Sequence, residues 1–315
     1  MITIRPATLA DAAAISAVHC STVDAWRDPY TRQPADEATL DLFGRWYNGG
    51  DWMSVETCAI HLNTLLLHGH LPLVAEIDGS IIGEAEYYVN REPAPFGPHL
   101  HLSVLYIHHD WQGQGVGRAL IEAGVEHARA HSCDALTTQP EPEMTGFYRR
   151  VGFQPWRRGK EMQTTIANEG LAFALAPLAT YHTPPEHLAL RIGRYQCGVQ
   201  GWETLWPALA LPELTALRRG VWQGELDGDP STSSGQAPVM LGLREQFRTP
   251  TQADGYAWLL SSASLMPAVA ALRALAAQEG YSAVDLLLPE DSLPELRTTF
   301  RLDYQTTVDL WIKET

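Results

Sequence analysis

A run of glycines between a strand and a helix restricts this chain more than any other feature. In Leu105-Tyr-Ile-His-His-Asp-Trp-Gln-Gly-Gln-Gly-Val-Gly-Arg118 a strand pattern ends at Ile107 and a helical one begins near Gly115, with Gly113, Gly115 and Gly117 at the turn. Glycine permits positive φ and puts no Cβ between backbone and ligand. A helix start adds unpaired N–H groups and the positive end of the dipole. The run therefore reads as a seat for phosphate oxygens. The P-loop pattern GxxxxGK[ST] is absent. The dinucleotide fingerprint GxGxxG fails because Arg118 stands at its third glycine.

The flanking pattern indicates an α+β fold. Ile2 to Pro6 reads as a strand and Ala12 to Val18 as a helix after the capping residues Thr8 and Asp11. Residues 20 to 68 hold interrupted helices rich in Trp and Tyr. Leu73 to Ile77 and Ile81 to Val89 flank the turn Asp78-Gly79, a hairpin signal. A strand His99 to Ile107, a helix Gly115 to His131 and a strand Ala135 to Thr138 form a βαβ unit, so part of a mostly antiparallel sheet is parallel. A short helix near Glu143 to Val151 and a strand after Phe153 follow.

Beyond a junction at 166 to 186 this order partly repeats. Trp258 to Ser261, Ala268 to Glu279, Ala283 to Leu288, Ser292 to Arg297 and Val308 to Ile312 read as strand, helix, strand, helix, strand, with Ser231 to Gly235 as a flexible loop. The length of 315 residues agrees with two domains, taken here as 1–168 and 169–315.

Gln112-Gly-Gln-Gly115-Val-Gly117 resembles the Q-x-x-G-x-G signature of the GNAT superfamily of N-acetyltransferases. Phe147-Tyr-Arg-Arg-Val-Gly-Phe153 is similar to that family's second signature, L-Y-x-K-x-G-F. The two motifs stand in the family's order on the expected elements. The resemblance implies two GNAT-like domains, each a mixed, mostly antiparallel sheet flanked by helices, with acetyl-CoA as co-substrate and no metal. It implies that the amides of Gln114, Gly115, Val116, Gly117 and Arg118 hold the coenzyme A pyrophosphate, beside Gln112, Gly113 and Phe147. It also implies that Leu105 and Ile107 pair through their backbones with the pantetheine arm. Glu141 stands where the family often has a pantetheine-binding Asn, and His109 where proline is usual.

The same resemblance makes Tyr148 the general acid and the Ile107 N–H the oxyanion donor. A phenol is protonated at neutral pH and can donate as a leaving sulfur becomes basic. For the base, strand periodicity puts His101, Ser103, Leu105 and Ile107 on one face. His101 occupies a strand position that carries a base in family members. Glu86 and Glu84 on the neighbouring strand are the rivals. His99, His101, His108 and His109 lack a matching Cys or carboxylate cluster, so a metal is not expected. Some of the aromatics of residues 20 to 68 are expected to shape the acceptor site. Arg149, Arg150, Arg157 and Arg158 could meet the coenzyme's 3′-phosphate or form a solvated face.

In the second half, Ser262-Ala-Ser-Leu-Met-Pro267 replaces the glycine loop, and no tyrosine lies between Asp291 and Phe300. Residues 169–315 therefore read as a degenerate, non-catalytic copy.

Formal charge is −15, from 22 basic and 37 acidic residues, which repels nucleic acid. No apolar stretch approaches the ~18 residues of a membrane span, and residues 1 to 6 do not resemble a secretion signal. Four scattered cysteines suit reduced thiols. The expectation is a cytoplasmic enzyme that acetylates a primary amine, small molecule or peptide, with no nucleic-acid or membrane partner. The alternatives are a non-catalytic acyl-CoA sensor, another acyl donor, or a thiol-precursor amine. The sequence leaves the oligomeric state open.

Overall fold

The computed structural model describes residues 1–166, 174–193, 197–227 and 236–315. The expected boundary at 168/169 and the loop Ser231 to Gly235 lie outside the described residues. In the first half, strand β1 is Thr3–Pro6, helix α1 Ala12–Cys20, α2 Leu42–Tyr47 and α3 Val55–Leu67. Strands β2 Leu71–Ile77, β3 Ser80–Arg91 and β4 Pro98–Ile107 precede helix α4 Val116–Ala130. Strand β5 Ala135–Thr138, helix α5 Thr145–Arg150 and strand β6 Gln154–Thr165 follow. The second half begins with β7 Leu175–Pro177, β8 Ala189–Ile192, α6 Gly198–Thr204 and α7 Pro212–Thr215. It continues with β9 Arg219–Asp227, β10 Gln236–Gln246, β11 Thr249–Leu259 and α8 Leu265–Gln278. Strand β12 Ala283–Pro289, helix α9 Leu293–Leu296 and strand β13 Asp303–Glu314 end the chain.

The class is the mixed, mostly antiparallel α+β expected. Among the described residues the strands form one 13-stranded sheet, ordered β1-β2-β3-β4-β5-β13-β6-β12-β11-β10-β9-β7, with β8 against β11. Strands β4 and β5 run parallel, as do β11 and β12. Helix α4 covers one face of the first half because Val116, Leu120, Ile121, Gly124 and Ala128 recur at helical spacing and are buried. Helix α8 does the same for the second half. No helix among the described residues is long and apolar enough to cross a membrane.

The middle of the sheet is an exchange of strands. Strand β13 lies between β5 and β6, and β6 lies between β13 and β12. Trp311 of β13 is therefore buried in the core of the first half with Leu136, Val151 and Phe153. Met162 of β6 is buried in the core of the second half with Leu286 and Leu288. Each half completes the other's sheet.

Candidate active site

Helix α4 opens with Gly115 as its N-cap at φ 87°, and Gly113 has φ 75°. A Cβ built on either would meet nothing within 4 Å, so the backbone lies open to an approaching group. Two side chains tie the loop back: Gln112 Nε2 donates to Ile107 O at 3.3 Å and Gln114 Nε2 to Asp110 O at 2.9 Å. The first N–H groups of this 15-residue helix have no intrahelical acceptor. Gly117 serves a different need, since a Cβ there would stand 3.2 Å from Phe147 Cζ. Its absence lets α5 pack against α4.

Beside this loop, β4 and β5 part. Their ladder runs from His99 opposite Ala135 to Leu102 opposite Thr138 and ends there. His108 N donates to Ile82 O on β3, so antiparallel alternation turns the backbone edges of Ile107 and Leu105 the other way, into the fork. Thr138 Oγ donates to Leu102 O at 3.0 Å at the fork's apex. The Tyr148 hydroxyl, carried by α5, lies close enough to that same threonine for the two to interact electrostatically. Its ring stands edge-on to Phe147 and Phe153, with centroids 5.2 and 5.5 Å away. Burial pushes the phenol up to about 12, so it carries its proton throughout the neutral range. Glu141 is exposed at the start of the turn before α5.

The strand-periodicity reading of β4 needs correction. Its register with β3 shifts, Glu86 facing Val104 but Tyr87 facing Leu102, so Ser103 is an extra residue. The bulge reverses the phase. Leu100, Leu102, Leu105 and Ile107 all face α4, and His101 does not share a face with Leu105 and Ile107. His101 instead lies opposite Tyr88, only 1% exposed, with Nδ1 hydrogen-bonded to Thr137 Oγ at 2.9 Å.

On this second face, below α1 and α3, the sheet carries two buried carboxyl–imidazole pairs. Glu84 meets His19 Nε2, and the His19 ring is stacked between Trp52 and Tyr106 at 5.1 and 4.1 Å. Burial, reinforced by the charge of Glu86, raises Glu84 well above the usual carboxyl range. Burial pulls His19 down to about 3. Burial thus favours the neutral form of each partner, and one hydrogen bond joins them. Glu86 accepts from Trp52 Nε1 at 2.7 Å and from His61 Nε2 at 3.0 Å. Burial opposes the charged form of His61, but the charges of Glu86 and Asp51 hold it well above the ordinary histidine value. The charged form of His61 is thus favoured between Glu86 and Asp51.

His19, His61 and Asp51 escape the sequence reading. The first two are helix residues whose partners lie on a distant strand. Only the Glu84, Glu86 spacing hinted at the site.

The β4 histidines do not gather. His99 Nδ1 bonds Gly97 O, while His108 and His109 turn to Asp110. The group with metal-binding spacing among the described residues is instead His68, His70 and Glu203. There Val89 N donates to His70 Nδ1, so the proton of a neutral ring sits on Nε2 and points at Glu203. That arrangement is a hydrogen-bonded clamp between the halves. Of the four arginines, Arg149 covers Trp311, Arg157 stacks on Phe96 and Trp156, and Arg158 pairs with Asp309. Arg150 joins Arg118 and Lys313 around a hollow of about 280 Å³ beside α4.

The second half lacks the fork. Strand β11 pairs with β12 from Gln252 to Gly255, and farther along the same edge β8 fills the space, Ala257 opposite Ile192 and Leu259 opposite Ala189. A strand of the chain occupies the gap that stays open between β4 and β5. The turn before α8 is closed by Ser261 Oγ accepting from Ala263 N, with no glycine.

The second half also reaches the first half's site. Gln200 Nε2 of α6 donates to Ser103 Oγ at 2.6 Å, and Val199 N to Asn90 Oδ1 at 3.0 Å. Between the halves lies a cavity of about 550 Å³, lined by Trp46, Asp51, His61 and Tyr88 on one wall. Gln200, Glu203, Trp206, Arg219 and Phe247 line the other.

Residues 23–153 match the model of the Acetyltransferase (GNAT) family. No curated protein matches the chain. Among solved structures, the chain is similar to a GCN5-related N-acetyltransferase from Anabaena variabilis ATCC 29413, with 11% identity and TM-score 0.62, covering 99% of this chain and 72% of that one. It is also similar to a GCN5-related N-acetyltransferase from Kribbella flavida, with 12% identity and TM-score 0.58, covering 100% of this chain and 71% of that one. At such identities the likeness is one of fold, and it extends over both halves. The helix that opens on glycine, the forked strands and the family match agree: residues 23–153 form a domain of the GNAT acetyltransferase family.

Proposed function

We propose that this chain transfers an acetyl group from acetyl-CoA to a primary amine by direct attack, at one site in the fork between β4 and β5. The residues present fit that co-substrate, because open backbone at Gly113 and Gly115 borders a strand edge that has no partner strand beyond Leu102 among the described residues. When bound, acetyl-CoA supplies the thioester whose C–S bond breaks. The start of α4 holds the pyrophosphate, and the edges of Leu105 and Ile107 hold the pantetheine arm. The Ile107 N–H donates to the oxygen of the attacked carbonyl, a fixed dipole where charge develops. The amine nitrogen forms the new C–N bond and releases its proton toward the opposite face of the sheet, where His101 and Glu86 stand. Tyr148 gives its proton to the departing sulfur.

The observation that carries this reading is the Tyr148 hydroxyl, kept protonated by burial and placed beside Thr138 at the apex of the fork. Residues 169–315 serve as a non-catalytic partner, since β8 blocks the equivalent slot. The test is calorimetric titration with acetyl-CoA together with thiol release in the presence of amines. Binding at one site per chain and amine-dependent thiol release support the proposal, and absence of either refutes it.

A further inference from the structure

Most buried polar side-chain atoms in folded proteins have hydrogen-bond partners. The cavity between the halves gathers three that have none among the described residues: Gln200 Oε1, Trp206 Nε1 and Arg219 Nε. Two are donors and one is an acceptor, and all three come from the second half. Their residues line a cavity of about 550 Å³, which has room for a ligand whose entry would turn these groups toward it.

The charges of the walls differ. On the wall from the second half, Arg244 is neutralised by Asp254, and Glu245 by Arg218. Arg219 has no carboxylate partner among the described residues, and two of its hydrogen bonds go to the carbonyls of Leu214 and Leu217. Burial and the neighbouring Arg244 pull its guanidinium below its usual value. That is the mark of a positive charge lacking compensation. Two carboxylates also line the cavity, Asp51 of the first half, which meets His61, and Glu203 of α6, which meets His68 and His70, and they favour an ammonium over a second anion.

The cavity also touches the reaction face. His61 bonds Glu86, Tyr88 lies opposite His101, and Gln200 bonds Ser103, the bulge residue next to the fork.

We infer that this cavity is the acceptor pocket and that the acceptor is an amine also bearing a carboxylate, which Arg219 and Trp206 hold while the amine faces the β3–β4 surface. The inference rests on the acetyl transfer proposed above. It gives the second half a role: recognition of the acceptor.

The test uses the full chain with saturating acetyl-CoA and matched probes, 4-aminobutyrate against n-butylamine and phenylalanine against phenethylamine. The carboxylate member of each pair should release thiol with the lower KM. Arg219→Ala should raise that KM by about tenfold to a hundredfold, as for loss of a charge-assisted hydrogen bond, and should abolish the preference while acetyl-CoA affinity stays unchanged. Arg219 also holds two loop carbonyls, so Trp206→Phe, which removes one N–H and keeps an aromatic ring, gives a second reading. It should raise the same KM several-fold with kcat retained. Equal use of both members of a pair, use of neither, or a preference that survives both variants overturns the inference. If acetyl-CoA binds and thiol is released without regard to the carboxylate, the acetyl-transfer reading stands and this one falls. If acetyl-CoA does not bind the wild type, both fall.

Discussion

Trp311, in the last strand of the chain, lies directly opposite Thr138, the residue whose side chain holds Leu102 O at the apex of the fork. Its indole is 3% exposed in the core of the first half, and Arg149 of α5 rests over it with 5.3 Å from guanidinium carbon to ring centroid. The strand that ends the second half thus supports the helix and the strand end on which the proposed acid stands.

From that contact follows a stability prediction. Trp311→Ala should cost about 3–5 kcal/mol, the range for emptying a large aromatic site in a core. A chain ending before residue 303 should lose cooperative unfolding and acetyl-CoA binding together, because it uncovers β5 and β6. Denaturant titration followed by tryptophan fluorescence checks both. A folded, acetyl-CoA-binding fragment would show that the strand exchange is dispensable.

Gly115→Glu should reduce acetyl-CoA affinity beyond calorimetric detection, because it sets a carboxylate at a helix start proposed to hold pyrophosphate. Gly117→Ala should act by another route, pressing on Phe147 at 3.2 Å, and should lower thermal stability with a smaller effect on affinity. Equal affinity losses in the two variants would contradict the separate roles assigned to these glycines.

Titration of the wild type with acetyl-CoA should give one site per chain. The reason lies in β8, which fills the edge of β11 beyond Gly255. Two equivalent sites would require β8 to leave the sheet.

The buried pair of Glu84 and His19 makes stability depend on pH. The folded state raises Glu84, so its contribution is fully present below the unfolded value of about 4.3 and is lost as pH rises through the raised one. Near neutrality the buried acid therefore costs stability. Glu84→Gln keeps a donor for His19 Nε2 without that cost. Its unfolding midpoint should exceed the wild type's near pH 8 and match it near pH 4. A variant less stable at both pH values would mean that Glu84 is ionised in the folded protein.

Much of the first half was legible because its signals are local. The glycine run, the amphipathic pattern from Val116 to Ala128 and the Phe147–Phe153 motif each lie within one element and its cap. What could not be read depends on contacts between distant segments. A bulge at Ser103 has no signature in a strand of alternating His and Leu, yet it moves His101 off the face of Leu105 and Ile107. The filling of the second fork by Ala189–Ile192 is a pairing choice that periodicity cannot reveal. Likewise Trp311 and Met162 look like ordinary core residues of their own halves and serve the other's core.

Proton donation to sulfur at the fork is decided by thiol release from Tyr148→Phe. The substitution removes one hydroxyl from a ring packed on Phe147 and Phe153, so acetyl-CoA should bind as tightly as before. Amine-dependent thiol release should fall by about 10²–10⁴-fold, the usual worth of a general acid. Wild-type turnover should show no decline from phenol ionisation below about pH 11, given the raised value of about 12. A variant that binds acetyl-CoA and releases thiol within tenfold of the wild-type rate would contradict the assignment.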